Sequence, residues 1–495
     1  MAAAQRFANW PLVVGPPLAL VIAFLPLQPD NPDVARMAAM AFLMALWWIT
    51  GALPLAATAL LPVVLLPALG ILSANDVPPL YVNDIIFLFM GGFLVALAME
   101  RWNLHRRIAL RLLLVFGDRP AGMLFGFMAP TFFLSMWISN TATTMMMVPI
   151  AIGVLGQLGR GGADQGASSR YATGLLLGVA YSASLGGTAT LVGTPPNLVL
   201  ARVYNMSFPD APPISFAGWM AFGLPLALTL LALLWCWLVL TSDTRAMRGR
   251  LDTTRLAQEY RDLGPRSFEE NVVGGAFLML AILWLTRNGI NLGVVTIPGW
   301  TALFPEPAYL KDGTVAIAVA LALFLVPARS EPGQRILTWH TARELPWDIV
   351  LLFGGGFALA GGFTESGLSQ WIGDHLAFFG GLPMPVLVLL IALSMSFLTE
   401  VTSNTATTQI MLPLLAALST SLNVPPLLLM VPATLACSYA FMLPVATPPN
   451  AIVFASERLT IRDMVRRGMP LNFVAVILVT LAVYLLGPVT LGIGE

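Results

Sequence analysis

Lysine is all but missing from this chain. Lys311 stands alone beside 24 arginines, and charged residues of both signs make up only 10% of the 495 positions. Ordinary globular chains carry about 25%. The 25 basic and 25 acidic residues cancel, which excludes a partner held by net charge, nucleic acid included. Only two cysteines occur, Cys236 and Cys437, both inside apolar blocks. That excludes a disulfide framework and leaves two small buried hydrophobes. The three histidines, His105, His340 and His375, have no metal-ligand spacing. A Gly-rich phosphate loop and a Ser–His–Asp set are also missing, so neither a cofactor nor hydrolytic chemistry is expected. An intramembrane hydrolase would need a nucleophile with its base, or two facing aspartates, and the motifs supply neither.

What the chain has instead is apolar length. Hydrophobic residues are 57% of the sequence and mean hydropathy is +0.81. Uncharged blocks such as 172–200, 216–240 and 470–487 match the roughly 20 residues that a membrane helix needs. A β-barrel would show short alternating segments, which are absent. The fold class expected is an all-α polytopic membrane protein. Helices are expected over 11–27 (a retained first span rather than a cleaved signal), 36–52, 54–72 and 84–99, then an arginine-bearing amphipathic stretch over 101–118. A hairpin over 120–157 precedes spans at 172–203 and 216–241. Beyond a polar linker, 242–270, come spans 271–288, 313–327 and 347–363, and an amphipathic stretch at 365–380. A second hairpin over 383–422 is followed by spans 424–455 and 470–488.

Arginine placement orients this layout. With the N-terminus in the cytoplasm, 21 of the 25 basic residues fall inside, and only Arg36, Arg202, Arg287 and Lys311 lie outside. The positive-inside rule demands such a bias. The expected location is the plasma or inner membrane.

The chain is organised around a stretch that occurs twice. Ser139–Pro149 (SNTATTMMMVP) matches Ser403–Pro413 (SNTATTQIMLP) at eight of eleven positions, at an offset of 264. The same offset lays NDIIFLFMGGF (83–93) on WDIVLLFGGGF (347–357), so Asp84 matches Asp348. GTPPNLVLA (193–201) and ATPPNAIVFA (446–455) follow at an offset of 253. Three landmarks in one order, twice, mark a duplication. Five spans separate the Asp-Ile copies, an odd number, so the halves have inverted topology. The expected organisation is N-terminal scaffold spans (1–72), a first repeat (73–241), the linker, and a second repeat (271–495). Inverted halves with interrupted helices point to a transporter with its site near the midplane.

The repeated residues define the chemistry. Ser-Asn-Thr at a hairpin tip offers hydroxyls, an amide and the free N–H groups of a new helix, which suits an anion. Thr-Pro-Pro-Asn removes two N–H donors and frees carbonyls, hard oxygens that suit Na⁺. No Lys or Arg lies within 15 residues of either triplet. A multiply charged anion in a low-dielectric site needs compensation, so co-bound cations are expected to supply it. Asp84 and Asp348, at span starts, are read as interfacial caps. Glu400, whose counterpart is Met136, is read as structural.

These motifs resemble those of the divalent anion/sodium symporter family, over roughly residues 35–490. The resemblance implies a homodimeric elevator-type transporter in the lipid bilayer, with two re-entrant hairpins and two interrupted helices in its moving domain. The early spans and those around 216–340 would form the scaffold, with 101–118 and 365–380 as arms. By the same resemblance, Ser139, Asn140, Thr141, Thr194, Ser403, Asn404, Thr405, Thr447 and Pro448 hold the substrate. One sodium would sit among Ser135, Ser139, Asn140 and Gly193, and its mirror image among Thr399, Thr402, Asn404 and Ala446, several through carbonyls. Thr405, often altered in relatives for citrate or sulfate, favours four-carbon dicarboxylates such as succinate, fumarate and malate. The alternatives are a sodium-independent dicarboxylate exchanger, a sodium-coupled citrate or sulfate transporter, and a channel.

Overall fold

The computed structural model describes residues 10–116, 119–158, 165–244, 254–291 and 296–494. Arg6, Arg160, Arg245, Arg248 and Arg250, and the middle of the 242–270 linker, lie outside the described residues. Among those described, six helices are long and apolar enough to cross a membrane. The only strands described are two-residue β1 (Ile290–Asn291) and β2 (Thr296–Ile297), an antiparallel ladder in the loop after residue 285.

The first two expected spans are α1 (Trp10–Ala23) and α2 (Asp33–Thr50), packed side by side. The third is not one helix. It divides into α3 (Leu55–Thr58) and α4 (Leu61–Ala68), because Pro62 has no N–H to return to the carbonyl of Thr58. The carbonyl of Ala59, exposed by this break, accepts a hydrogen bond from the hydroxyl of Tyr81 at the end of α5 (Pro78–Tyr81).

Next comes α6 (Asp84–Arg101), capped by Asn83, whose Oδ1 accepts from the N–H groups of Ile85 (3.1 Å) and Ile86 (3.3 Å). The cap is therefore Asn83 and not Asp84, which corrects the sequence expectation. An amphipathic helix, α7 (Leu104–Val115), runs on from it. Its Arg107 is buried and donates to Glu270 Oε1 at 2.9 Å and to the carbonyls of Gly264 (2.9 Å) and Leu263 (3.0 Å). The first hairpin is α8 (Pro120–Ser135) and α9 (Asn140–Leu158). An interrupted pair follows, α10 (Gln165–Thr188) and α11 (Pro195–Ser207), and then α12 (Phe216–Thr241), which packs along α10 and against α8 rather than with the early spans.

The second half repeats the order. After α13 (Thr254–Asp262), α14 (Phe268–Leu285), α15 (Asp312–Leu325) and α16 (Trp339–Ala342) comes α17 (Trp347–Glu365), the counterpart of α6. Beyond it are α18 (Leu368–Leu376), the hairpin α19 (Met384–Thr399) and α20 (Asn404–Ser421), and the interrupted pair α21 (Pro426–Ser438) and α22 (Pro448–Phe454). The chain closes with α23 (Ile461–Leu485) and α24 (Gly487–Leu491). α23 starts nine residues before the expected 470, because Thr460 and Asp463 form a capping box ahead of Pro470. Arg462, Arg466 and Arg467 thus sit on a helix and not in a loop. Arg467 is buried and donates to Ser242 Oγ (3.2 Å) and to the carbonyls of Thr241 (3.1 Å) and Arg170 (3.2 Å), pinning the ends of three helices together.

Two contacts fix how α6 and α17 sit. Each carries a run of glycines where another backbone crosses. A methyl on Gly91 would fall 2.5 Å from the Cβ of Ala316, and one on Gly355 would fall 2.4 Å from the carbonyl of Ala59. The far end of α6 rests on the segment that leads into α17. Arg101 pairs with Glu331 at 2.6 Å, and Trp102 Nε1 donates to the carbonyl of Ile336 at 2.8 Å. Asp84 is 17 residues from Arg101, about 25 Å along a helix. Asp84 and Asp348 therefore lie toward opposite ends of the molecule.

Candidate functional site

Both Thr-Pro-Pro-Asn motifs do something other than kink a helix. Pro195 and Pro448 stand at the first position of α11 and α22, where a missing N–H costs nothing, and Thr194 and Thr447 are the caps. The breaks are correspondingly wide, residues 189–194 and 439–447. Two asparagines hold them open. Asn197 Nδ2 donates to the carbonyls of Gly187 (3.2 Å) and Thr190 (2.7 Å), and its counterpart Asn450 donates to those of Ala440 (3.1 Å) and Leu443 (3.0 Å). Both side chains are fully buried, and in both the Oδ1 atom has no donor.

The hairpin tips meet these breaks through equivalent positions with different chemistry. In the first half, Thr190 Oγ1 donates to the carbonyl of Met136 at 2.5 Å. In the second, the carboxylate of buried Glu400 accepts from the N–H groups of Met442 (3.0 Å) and Leu443 (2.9 Å) and from Asn472 Nδ2 (2.8 Å). Met136 matches Glu400, and Thr190 matches Leu443. The structural role expected for Glu400 thus has content: a buried carboxylate satisfied by three donors ties tip to break.

All nine residues assigned to the substrate, Ser139, Asn140, Thr141, Thr194, Ser403, Asn404, Thr405, Thr447 and Pro448, line one cavity of about 470 Å³. Three substantial helices, α9, α11 and α20, begin at this cavity, with α22 starting beside them. Their unpaired N–H groups and positive dipole ends converge on it. Ser403 Oγ accepts from the N–H of Ala406 at 3.5 Å, and Thr447 Oγ1 from that of Asn450 at 3.3 Å. Among the lining residues there is no Lys, Arg or His; the single ionisable side chain is the exposed Asp348, at the mouth beside Pro54–Ala56 and Ile349. Asp348 caps nothing, since the residue before α17 is Pro346, so this expectation too is corrected.

Of the cation set, Ser139, Asn140, Gly193, Asn404 and Ala446 line the cavity, whereas Ser135, Thr399 and Thr402 are buried behind it. The two halves match. Ser135 donates its hydroxyl to Asn140 Oδ1, and Thr399 donates to Asn404 Oδ1 at 2.6 Å. Thr399 also donates to the carbonyl of Cys437 at 3.0 Å. On the first side a methyl placed on Gly187 would meet Asn140 Oδ1 at 2.7 Å and the carbonyl of Gly193 at 3.0 Å. Those two oxygens converge on the same small space, which Asn140 Nδ2 also borders at 2.8 Å; with the amide nitrogen turned away they would suit a hard monovalent cation. Thr402 turns its hydroxyl to Thr407 Oγ1 (2.6 Å) and the carbonyl of Leu398 (2.8 Å), which leaves only its backbone for a cation. No group of three or more His, Cys, Asp or Glu side chains among the described residues could hold a metal.

Sequence reasoning missed Gly187, Asn197, Asn450 and Asp348 as parts of this site. The asparagines were legible as the last letter of a repeated motif, but their geometry was not.

Comparison with known proteins shows what the chain as a whole resembles. A family model described as the sodium:sulfate symporter transmembrane region matches residues 7–492. The sodium-dependent dicarboxylate transporter SdcS of Staphylococcus saprophyticus is 42% identical over 491 residues, 97% of this chain and 92% of that one. The protein of the same name from Staphylococcus aureus is 41% identical over 490 residues, with the same coverage. Among solved structures, the Alcanivorax borkumensis YdaH transporter superposes with a TM-score of 0.53 at 15% identity, covering 83% of this chain and 86% of that chain. Neisseria gonorrhoeae MtrF gives 0.53 at 13% identity, covering 82% of each. At such identities the likeness is one of fold.

Proposed function

The chain belongs to the sodium:sulfate symporter family of membrane transporters, and from that premise we propose that it imports four-carbon dicarboxylates together with sodium. The observation that carries this is a cavity lined by both Ser-Asn-Thr triplets, with Thr194 and Thr447 beside them, and by no basic side chain. Helix N-termini offset part of a dianion's charge. Two sodium ions, one behind each triplet, offset the rest. The hydroxyl–amide pairs Ser135–Asn140 and Thr399–Asn404 favour symport over sodium-independent exchange, because they order oxygen ligands that an exchanger would not need.

The mechanism follows from the duplication. The opposite placement of Asp84 and Asp348 supports inverted halves, with the N-terminus cytoplasmic and the cavity's mouth on the cytoplasmic side. Hairpins and interrupted helices move as a body across a scaffold of early spans, and packing along α10 supports counting α12 with the moving body. The arms α7 and α18 link the two, and the carrier works as a homodimer in the plasma or inner membrane. The test is uptake of labelled succinate by proteoliposomes, with a sodium titration and citrate, sulfate, fumarate and malate as competitors. Wild-type uptake should vanish without sodium. Asn140→Ala and Asn404→Ala should each lose nearly all uptake while remaining folded; normal kinetics in both would remove this site.

A further inference from the structure

Ser438 is the last residue of α21 and lines the central cavity together with Asn404, Ala446 and Thr447. The residue is only 4% exposed, and its hydroxyl is buried with no hydrogen-bond partner. A serine in an apolar helix ordinarily turns its hydroxyl back to a carbonyl one turn earlier. Ser438 does not. A buried hydroxyl left unpaired destabilises the fold unless a further group meets it.

Its carbonyl stands open as well. The N–H groups three and four residues on, those of Phe441 and Met442, donate instead to Asn472 Oδ1 (3.2 Å) and Glu400 Oε1 (3.0 Å). The carbonyls on either side are occupied: Cys437 accepts from Thr399 at 3.0 Å, and Tyr439 from Ser396 at 3.3 Å. Among the described residues nothing donates to the one between them. Two oxygens of one residue are thus free at the C-terminal end of a 13-residue helix, where the dipole is negative. That field disfavours a carboxylate and favours a cation. The first half has no such pair. At an offset of 253 the counterpart is Leu185, which has no hydroxyl, does not line the cavity, and has a carbonyl that accepts from Thr188 Oγ1 at 2.8 Å.

Thr399 ties this spot to the second cation set. Its hydroxyl reaches both Asn404 Oδ1 and the carbonyl of Cys437, the residue before Ser438. Thr402 in that set turns its hydroxyl elsewhere. We propose that Ser438 is a ligand of the sodium ion behind the second triplet, through its hydroxyl and its carbonyl. Both are hard oxygens, the type that suits an alkali ion. The two cation sites are then unequal, the second holding oxygens that the repeat does not mirror. This rests on the sodium-coupled reading given above.

Two substitutions separate ligation from packing. Ser438→Ala removes the hydroxyl and keeps the carbonyl, whereas Ser438→Cys keeps nearly the same size but offers a soft sulfur that binds sodium poorly. In proteoliposomes both should raise the half-saturating sodium concentration about tenfold, the worth of one polar contact to a charge. The half-saturating succinate concentration at saturating sodium should stay near the wild-type value. With choline chloride as the only salt, the purified variants should melt at or above the wild-type temperature, because an unpartnered hydroxyl has been removed. The added stability on exchanging choline for sodium should shrink in both. Any of four results would overturn the proposal: an unchanged sodium response in Ser438→Ala, a wild-type sodium response in Ser438→Cys, a lower melting temperature of both in choline, or a loss confined to succinate affinity. Sodium dependence of wild-type uptake, measured first, tests the underlying transport reading separately.

Discussion

At the scale of single residues, the site depends on backbone and amide oxygens held within tight limits, and small changes there have specific outcomes. Gly187→Ala puts a methyl 2.7 Å from Asn140 Oδ1 and 3.0 Å from the carbonyl of Gly193. The crowding is worth about 1–3 kcal/mol. The half-saturating sodium concentration should rise by about tenfold, or 1.4 kcal/mol, with a loss of thermal stability no larger than that crowding cost. Glu400→Gln turns one of two accepting oxygens into an N–H₂ facing the donors of Met442, Leu443 and Asn472. Leaving one buried donor unpaired costs about 1–3 kcal/mol. Thermal unfolding of the purified variant should show that loss, together with slower uptake. An unchanged melting temperature would mean that the carboxylate is not needed as a tie. The sequence exposed the triplets because they repeat. It marked Glu400 as structural but not what it ties, because its counterpart Met136 does the same job through its carbonyl.

At the scale of elements, proline placement and one buried ion pair decide how helices end and dock. Pro195 and Pro196 begin α11, so the break before them relies on the chain being unable to continue the helix from α10. Pro195→Ala/Pro196→Ala restores two N–H donors and lets the helix close. Sodium-dependent uptake should be lost while thermal stability holds or rises. The amphipathic helix α7 is tied down by Arg107, which pairs with Glu270; both side chains are only 5% exposed. Removing one partner of such a pair costs about 3–5 kcal/mol, whereas replacing both with apolar groups costs little. Arg107→Met should lower the melting temperature sharply, and Arg107→Met/Glu270→Met should recover only part of it, because the carbonyls of Leu263 and Gly264 and the N–H of Ser267 still lose their partners. The sequence marked α7 as amphipathic and arginine-bearing. It did not show which arginine would be buried, because Glu270 is 163 positions away.

At the scale of the whole molecule, the absence of histidine from the cavity lining governs pH behaviour. Histidine is the side chain that ordinarily titrates between about pH 5 and 8, and none lines the cavity. Uptake at a fixed concentration of substrate dianion should therefore stay flat between about pH 6 and 8. Any slope at fixed total succinate should follow the substrate's own second ionisation. A bell-shaped profile over that range at constant dianion would point to a titrating protein group outside the cavity lining.

The sequence by itself determined the membrane class, the duplicated order of motifs and the residues that meet at the centre, since hydropathy and repetition are written in consecutive letters. Tertiary structure alone decided the rest: that the third span is two helices, that prolines begin α11 and α22, that Asn83 and not Asp84 caps α6, and that Asp348 stands open at a cavity mouth while Asp84 is held by Lys311 and Arg202. Those outcomes depend on which distant group comes within hydrogen-bonding or ion-pairing range, and a repeat with the same spacing can close such contacts in one half and leave them open in the other.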